Sequence, residues 1–347
     1  MLWKPNRRPR CLLRTHEVPV RSVSFDEYAD NVREADLEYL MTGPSRGPWK
    51  VGYCQVNSIV LQYGVEGGSK ILHGKSRSDA LIFIVPHTKF ADRVIFDGQE
   101  IRPYTFAVLP PSSHFTAATF GINRWISISV PNGLFRKVSE QIGRSDLNWI
   151  EREKCLISTS RKLVDCLATE AANIVAAFAN SAPLTRNRQR QGVEHALLHS
   201  LLAAISGRHD KTSLFEDNTK SSNKIMSRAL EYARCHTWQA LRVNDIAHAA
   251  EVTERTLHRS FEQQLGIGPS RYLKLRQLNI VRRALRGKLG ISLPITAIMA
   301  EHGVTEFGRF AGEYRTLFGE SPSETRQRYG HDRAVTVSKM RMGTGNA

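Results

Sequence analysis

The feature that most constrains this 347-residue chain is a repeat near its C-terminal end. Leu257, Phe261, Gly266 and Pro269 recur as Phe310, Tyr314, Gly319 and Pro322, each 53 residues later. Leu257 and Phe261 stand four apart, so on a helix they share one face. Each copy closes on a glycine and then a proline, in LGIGPS (265–270) and FGESPS (318–323). Glycine ends a helix in the left-handed region, and proline suits a first turn whose N–H has no partner. A pattern returning with both terminators requires two copies of one helical unit.

The first copy is the more explicit. In 243–250, VNDIAHAA, Ile246, Ala247 and Ala250 fall on one face. A tight turn follows, and Thr253 is placed to cap a second helix, with Glu254 in its positive first turn. If Leu257 and Phe261 point inward, then Arg255, His258 and Arg259 point outward together. Two short helices in this relation form a helix-turn-helix, whose second helix enters the DNA major groove. Arginine there can pair bidentately with guanine, worth about 1–3 kcal/mol of discrimination. Arg255, His258 and Arg259 are therefore base-reading candidates, joined by Arg309 in the second copy, with Thr253 and Thr256 assigned to the DNA backbone.

The two copies are tied by 270–288, SRYLKLRQLNIVRRALRGK, which holds seven Lys or Arg (271, 274, 276, 282, 283, 286, 288) and no acid. Lys274, Arg276, Arg282 and Arg283 are read as phosphate contacts, with a solvated face as the alternative. Tyr272, Leu275, Leu278, Val281 and Leu285 can pack both units. The whole chain agrees with a polyanionic partner: 49 Lys and Arg against 33 acids give a net charge of +16.

Residues 224–329 resemble the AraC/XylS family of transcription regulators. The first motif fits A-x5-T-x3-L-x-R-x-F followed by G-x-x-P-x-x-Y-L (247 to 273). The second fits in Ile295, Ile298, Gly303, Phe310, Phe318, Gly319, Ser321 and Pro322. Within the family the DNA-binding half is closest to the ethanolamine-operon regulator type, a likeness that transfers no effector. Arg242 stands where a Ser or Thr cap is usual, Gly268 where Ser is, and Met299 where Ala is. Gly308 and Gly312 replace the usual Ser and Arg of the second recognition helix. This predicts asymmetric reading, with bases read by the first helix and backbone or shape by the second. The resemblance further implies a double-stranded DNA partner, RNA polymerase contact, an activator, a homodimer and an N-terminal domain, often a cupin-like β-barrel, that binds a small-molecule effector.

Upstream, VGYCQVNSIVLQYGV, ALIFIVP, TFAVLPP and WISISV between 50 and 130 read as short strands of a barrel or sandwich. Residues 24–41 read as a helix. Helical periods follow at 160–179 and 189–206, the second with a stripe of Leu197, Leu198, Leu201, Leu202 and Ile205 that suits either its own core or a dimer seam. The expected fold class is α+β multidomain. It comprises a basic tail (1–22), expected to be disordered, and a cupin-like effector-binding and dimerisation domain (23–206). A linker (207–222), an all-α double helix-turn-helix domain (223–330) and a disordered tail (331–347) follow.

Within the barrel, Trp49, Tyr53, Phe83, Phe106, Phe115 and Trp125 could line the interior or simply fill the core. Arg77, His114 or Arg124 could meet an anionic effector, but no motif assigns effector residues. A metal-dependent cupin enzyme would need clustered ligands, yet His73, His87 and His114 lie apart, and His195 and His199 have no companion pattern. No catalytic fingerprint or cofactor motif occurs, so neither enzyme activity, cofactor nor metal is expected. An architectural DNA binder that reads mostly backbone remains the other alternative. Five scattered cysteines (11, 54, 155, 166, 235) and no apolar run long enough for a bilayer point to the cytoplasm.

Overall fold

The computed structural model describes residues 18–86, 93–180, 187–213, 217–236, 240–287 and 293–329. Residues 1–17 of the expected basic tail, His87, Lys288 and the tail from 331 lie outside them. The N-terminal part consists of two open β-sheets. The larger has the order β1 (Val18–Val23), β3 (Trp49–Val56), β4 (Ile59–Glu66), β11 (Asn123–Pro131), β6 (Ala80–Pro86), β9 (Thr105–Leu109), β12 (Cys155–Thr159), β13 (Arg208–Ser213). The smaller runs β2 (Ala35–Met41), β5 (Lys70–Ser76), β10 (His114–Thr119), β7 (Val94–Phe96), β8 (Gln99–Glu100). The expected barrel is not closed, because β1 and β13 end one sheet and β2 and β8 the other. Ile82, Ala107 and Leu109 of the larger sheet meet Phe96, Phe115 and Ala117 of the smaller in one apolar layer.

Helices cover the faces that closure would otherwise have to protect. On the larger sheet lie α2 (Asn132–Gln141), α3 (Arg161–Asn180) and α4 (Asn187–Ser206), packed in one core with Leu61, Phe83, Phe106 and Ile128. Leu197, Leu198, Leu201, Leu202 and Ile205 are all buried in that core, so the apolar stripe of α4 packs within its own layer and is not a dimer seam.

Two further expectations need correction. Residues 24–41 are not one helix. Ser24 caps a short α1 (Phe25–Asn31) by accepting from Glu27 N at 3.2 Å, while the Glu27 carboxylate takes Ser24 N at 2.9 Å. The chain then turns through Glu34, at φ 71°, into β2. Residues 207–222 are not an open linker either: β13 pairs with β12, and α5 (Asp217–Cys235) begins within the segment. Residues 18–22 of the expected tail likewise belong to β1.

The C-terminal part is all helix: α5, α6 (Val243–Ala249), α7 (Glu254–Leu265), α8 (Pro269–Arg286), α9 (Ile295–Glu301), α10 (Phe307–Phe318) and α11 (322–329). The repeat is reproduced in three dimensions. Leu257, Phe261, Phe310 and Tyr314 are buried, and Gly266 (φ 65°) and Gly319 (φ 74°) end α7 and α10 in the left-handed region. The first unit, α6–α7 with α5, covers the outer face of the smaller sheet, where Leu40, Ile71, Ile95 and Ala118 meet Leu230, Leu257, Phe261 and Leu265. The second, α9–α10, packs with α8 against Tyr28, Tyr39, Met41 and Trp49.

Candidate nucleic-acid interface and ligand cavity

The recognition face is built from the N-terminal end of α7. Thr253 caps it, its Oγ1 accepting from Thr256 N at 3.2 Å. The helix is amphipathic, so burying Leu257, Ser260, Phe261 and Gln264 leaves Arg255, Thr256, His258 and Arg259 exposed. The buried face and the opposite end meet the smaller sheet. A Cβ on Gly266 would stand 2.6 Å from Phe120 Cζ, and Gln264 ties the same end to α5 by donating to Asn223 Oδ1 at 2.7 Å. Gly268 also has a reason here, since a Cβ on it would lie 3.2 Å from His258 Cε1. At Arg242 the side chain does not cap α6. Asp245 instead takes the Arg242 N–H at 2.7 Å, which secures the helix start.

The second recognition helix differs. Arg309 is exposed but bracketed along its own helix by Glu306 at 3.5 Å and Glu313 at 3.3 Å. Gly308 and Gly312 face open space. Met299 is buried beside Ile298 and Phe310, so the bulk at this position is absorbed by the core.

The phosphate-contact assignments on α8 are the main correction. Arg276 is buried and donates to the carbonyls of Ala233 and His236, closing the end of α5. Burial holds its pKa below the ordinary value. Arg282 is 5% exposed, 2.8 Å from both Asp26 and Glu320. Burial opposes its charge, but the acids hold its pKa above the ordinary value. Neither guanidinium reaches solvent phosphate in this arrangement. Arg283 is exposed yet pairs with Glu38 at 2.7 Å, and Lys274 with Glu313 at 2.7 Å. The acids that claim these cations lie up to 256 residues away in sequence, which is why a run without local acids looked like a phosphate track. A residue that sequence reasoning missed sits between them: Asn279 accepts Met41 N and donates to Met41 O, both at 3.0 Å, joining α8 to the edge of β2. An asparagine inside a long helix was the available signal.

Two cavities flank the smaller sheet. Between the sheets lies an apolar one of about 90 Å³, lined by Leu37, Leu72, Ile84, Phe96 and Phe115 among others. Of the six aromatic candidates only Phe115 and Trp125 reach it. Phe83 and Phe106 fill the core under α3, Trp49 packs on Phe25, and Tyr53 lies beneath Arg33. On the outer face is a polar pocket of about 380 Å³ between His73, His114, Lys154, Asn223 and Gln264. His73 Nδ1 is 3.1 Å from Thr116 Oγ1, and burial lowers its pKa to about 4. Lys154 pairs there with buried Asp97. Arg77 is engaged by Asp79 and Glu34. No group of three His, Cys, Asp or Glu is gathered for a metal among the described residues, and His195 and His199 are exposed. No helix among the described residues is long and apolar enough to cross a membrane.

The two glycine-terminated helix pairs fall within a matched stretch: residues 246–328 match the model of the helix-turn-helix domain. That stretch, α6 to α11, is similar to a helix-turn-helix domain. The chain is 34% identical over 128 residues to the probable thc operon regulatory protein of Rhodococcus erythropolis, covering 37% of this chain and 38% of that protein. It is 30% identical over 103 residues to XylDLEGF operon transcriptional activator 2 of Pseudomonas putida, covering 30% and 66%. Among solved structures, the AraC-like transcriptional activator CuxR is 14% identical over 71% of this chain and 86% of that one, with a TM-score of 0.36. The chain thus spans less than two thirds of the length of these two curated relatives.

Proposed function

We propose that this protein is a sequence-specific DNA-binding transcription regulator, an activator, whose N-terminal sheets sense a small molecule. The observation that carries this is the position of the smaller sheet. Its side chains alternate, so one face lines the cavity and the other holds the helix-turn-helix domain. On β10, Phe115 and Ala117 point to the inter-sheet layer, while Ala118 packs with the first unit. A ligand between the sheets therefore acts on strands that carry the DNA-binding helices, and it shifts their placement by binding one arrangement better than another. Arg255, His258 and Arg259 read bases, with Thr253 and Thr256 on the adjacent backbone. Two copies of the chain, binding two half-sites in the cytoplasm and touching RNA polymerase, complete the activator. The likeness to the ethanolamine-operon regulator type concerns residues 265–285 and 307–323 of the DNA-binding half and names no effector.

The test is fluorescence anisotropy on DNA from upstream of the protein's own gene and its neighbours, against scrambled DNA at physiological salt. A preference of ~10³ or more for one fragment is expected. Equal, salt-steep binding to every fragment would replace this reading with the architectural one. The bare Gly308 and Gly312 of α10 favour that second reading for the second unit only.

A further inference from the structure

The largely apolar cavity between the sheets has a polar corner around Lys70 and Thr119. Lys70 on β5 and Thr119 on β10 are directly opposed in the antiparallel register, so their side chains stand together on the inner face. Both are buried, at 1% and 3% exposure, and both line the cavity. Lys70 Nζ lies 2.9 Å from Glu66 Oε1, yet without hydrogen-bond alignment. Neither Lys70 Nζ nor Thr119 Oγ1 has a hydrogen-bond partner among the described residues. Their polar neighbours are served. Glu66 accepts from Tyr28 Oη at 3.2 Å and Asn123 Nδ2 at 3.3 Å, and Gln62 accepts from Arg33 N at 3.1 Å and donates to Asn31 O at 2.9 Å. Buried polar groups left unmatched call for an explanation, and two adjacent ones aimed into one cavity call for a shared one.

The charge of the corner decides the ligand class. Lys70 is already balanced by Glu66 at the end of β4, on the facing sheet. A carboxylate arriving there would place a second anion on one ammonium in an apolar cavity, at high desolvation cost. A neutral oxygen acceptor meets both donors without that cost. We propose that the cavity binds a small, neutral, largely apolar molecule bearing one carbonyl-type oxygen, which accepts hydrogen bonds from Lys70 Nζ and Thr119 Oγ1. This rests on the sensor reading above for its regulatory meaning. The corner is also well placed to be felt outside. Lys70 pairs on its other side with Met41, whose backbone holds Asn279 of α8, and Phe120, next to Thr119, packs on the Gly266 end of α7.

Three probes of similar size test it on the full chain by ligand-observed NMR: cyclopentanone, cyclopentane and butyrate. Cyclopentanone should bind about tenfold tighter than cyclopentane, and butyrate should not displace it. Thr119→Val, close in shape, should weaken the ketone about fivefold and leave the hydrocarbon unchanged. Glu66→Gln/Lys70→Met removes the ion pair as a unit and should reduce the ketone preference, leaving Thr119 as the remaining donor. Equal binding of ketone and hydrocarbon, tighter binding of butyrate, no ketone binding, or an indifferent Thr119→Val would each overturn the proposal. DNA anisotropy on the same samples separates the two readings. Specific DNA binding with the wrong probe order overturns only the ligand class. Ketone binding without DNA preference overturns only the regulator.

Discussion

The two helix-turn-helix units come from one repeat but are used differently. The first turns Arg255, His258 and Arg259 to solvent, with no ion-pair partner among the described residues, and attaches to the sheets through apolar surface around Phe261 and Ile71. The second carries Arg309 between two glutamates beside two bare glycines. It is fastened partly by charge, since Arg282 joins Asp26 of α1 to Glu320 and lies within 3.5 Å of Tyr314 Oη. A repeated unit has thus kept its internal packing while its outward face and its anchor have diverged. The packing residues answer to each other, whereas the outer residues answer to DNA and to the N-terminal sheets.

The charged anchor is the easiest part of that contrast to break. Arg282→Met leaves Asp26 and Glu320 buried with a weakened counter-charge, and should cost about 3 kcal/mol. Arg283→Ala, where an exposed guanidinium pairs with the largely buried Glu38, should cost less, about 1–2 kcal/mol. Urea unfolding of both variants measures the difference. Equal losses would mean that the second unit is held by packing, like the first.

The apolar anchor has its own weakness in acid. His73 sits on the outer face of the smaller sheet, beside Thr116, with Glu38, His114, Glu231 and Arg234 also acting on it. Burial sets its folded pKa at about 4, below the ordinary 6.5. Between these values the unfolded chain takes up a proton that the folded state refuses. Stability therefore falls as pH drops from 6.5 to 4 and levels off below, by up to ~3 kcal/mol from this group. His73→Asn should flatten that part of the pH–stability curve relative to the parent. Parallel curves would remove His73 from the acid response.

What was legible in the sequence follows the same division. Leu257, Phe261, Gly266 and their repeats were readable because helix faces and terminators are set by residues a few positions apart. The direction of Arg255 and Arg259 follows from that packing. By contrast, the fate of Arg276 and Arg282 depends on Ala233 and Asp26, 43 and 256 residues away. Strand β2 was hidden for a related reason. Its sheet is covered on both faces, so ADLEYLM lacks the clean alternation of a half-exposed strand and satisfies a helical period equally well. Lys70 and Thr119 meet only through strand register, which local sequence does not encode.

On DNA the contrast becomes one of kind. Arg259→Ala should cost about 1–3 kcal/mol at the specific site and little on random DNA. Arg309→Ala should weaken both alike, because an arginine shared with Glu306 and Glu313 on a glycine-flanked helix lacks neighbours to fix it on a base edge. Specific loss at Arg309 would make the second unit a reader as well.

The smallest effect concerns Lys274. As an exposed phosphate contact it would contribute roughly one counterion to the salt dependence, and Lys274→Ala would flatten the slope by about that much. Its ammonium instead lies 2.7 Å from Glu313 and over the Phe310 ring, 5.3 Å from the centroid, tying α8 to α10. Removing it should therefore cost at most about 1 kcal/mol of folding stability and leave the salt slope as it was. A flattened slope would show that DNA takes Lys274 from Glu313. The acid left behind would then free α10 to move, and the second unit would be positioned by DNA rather than by the repeat.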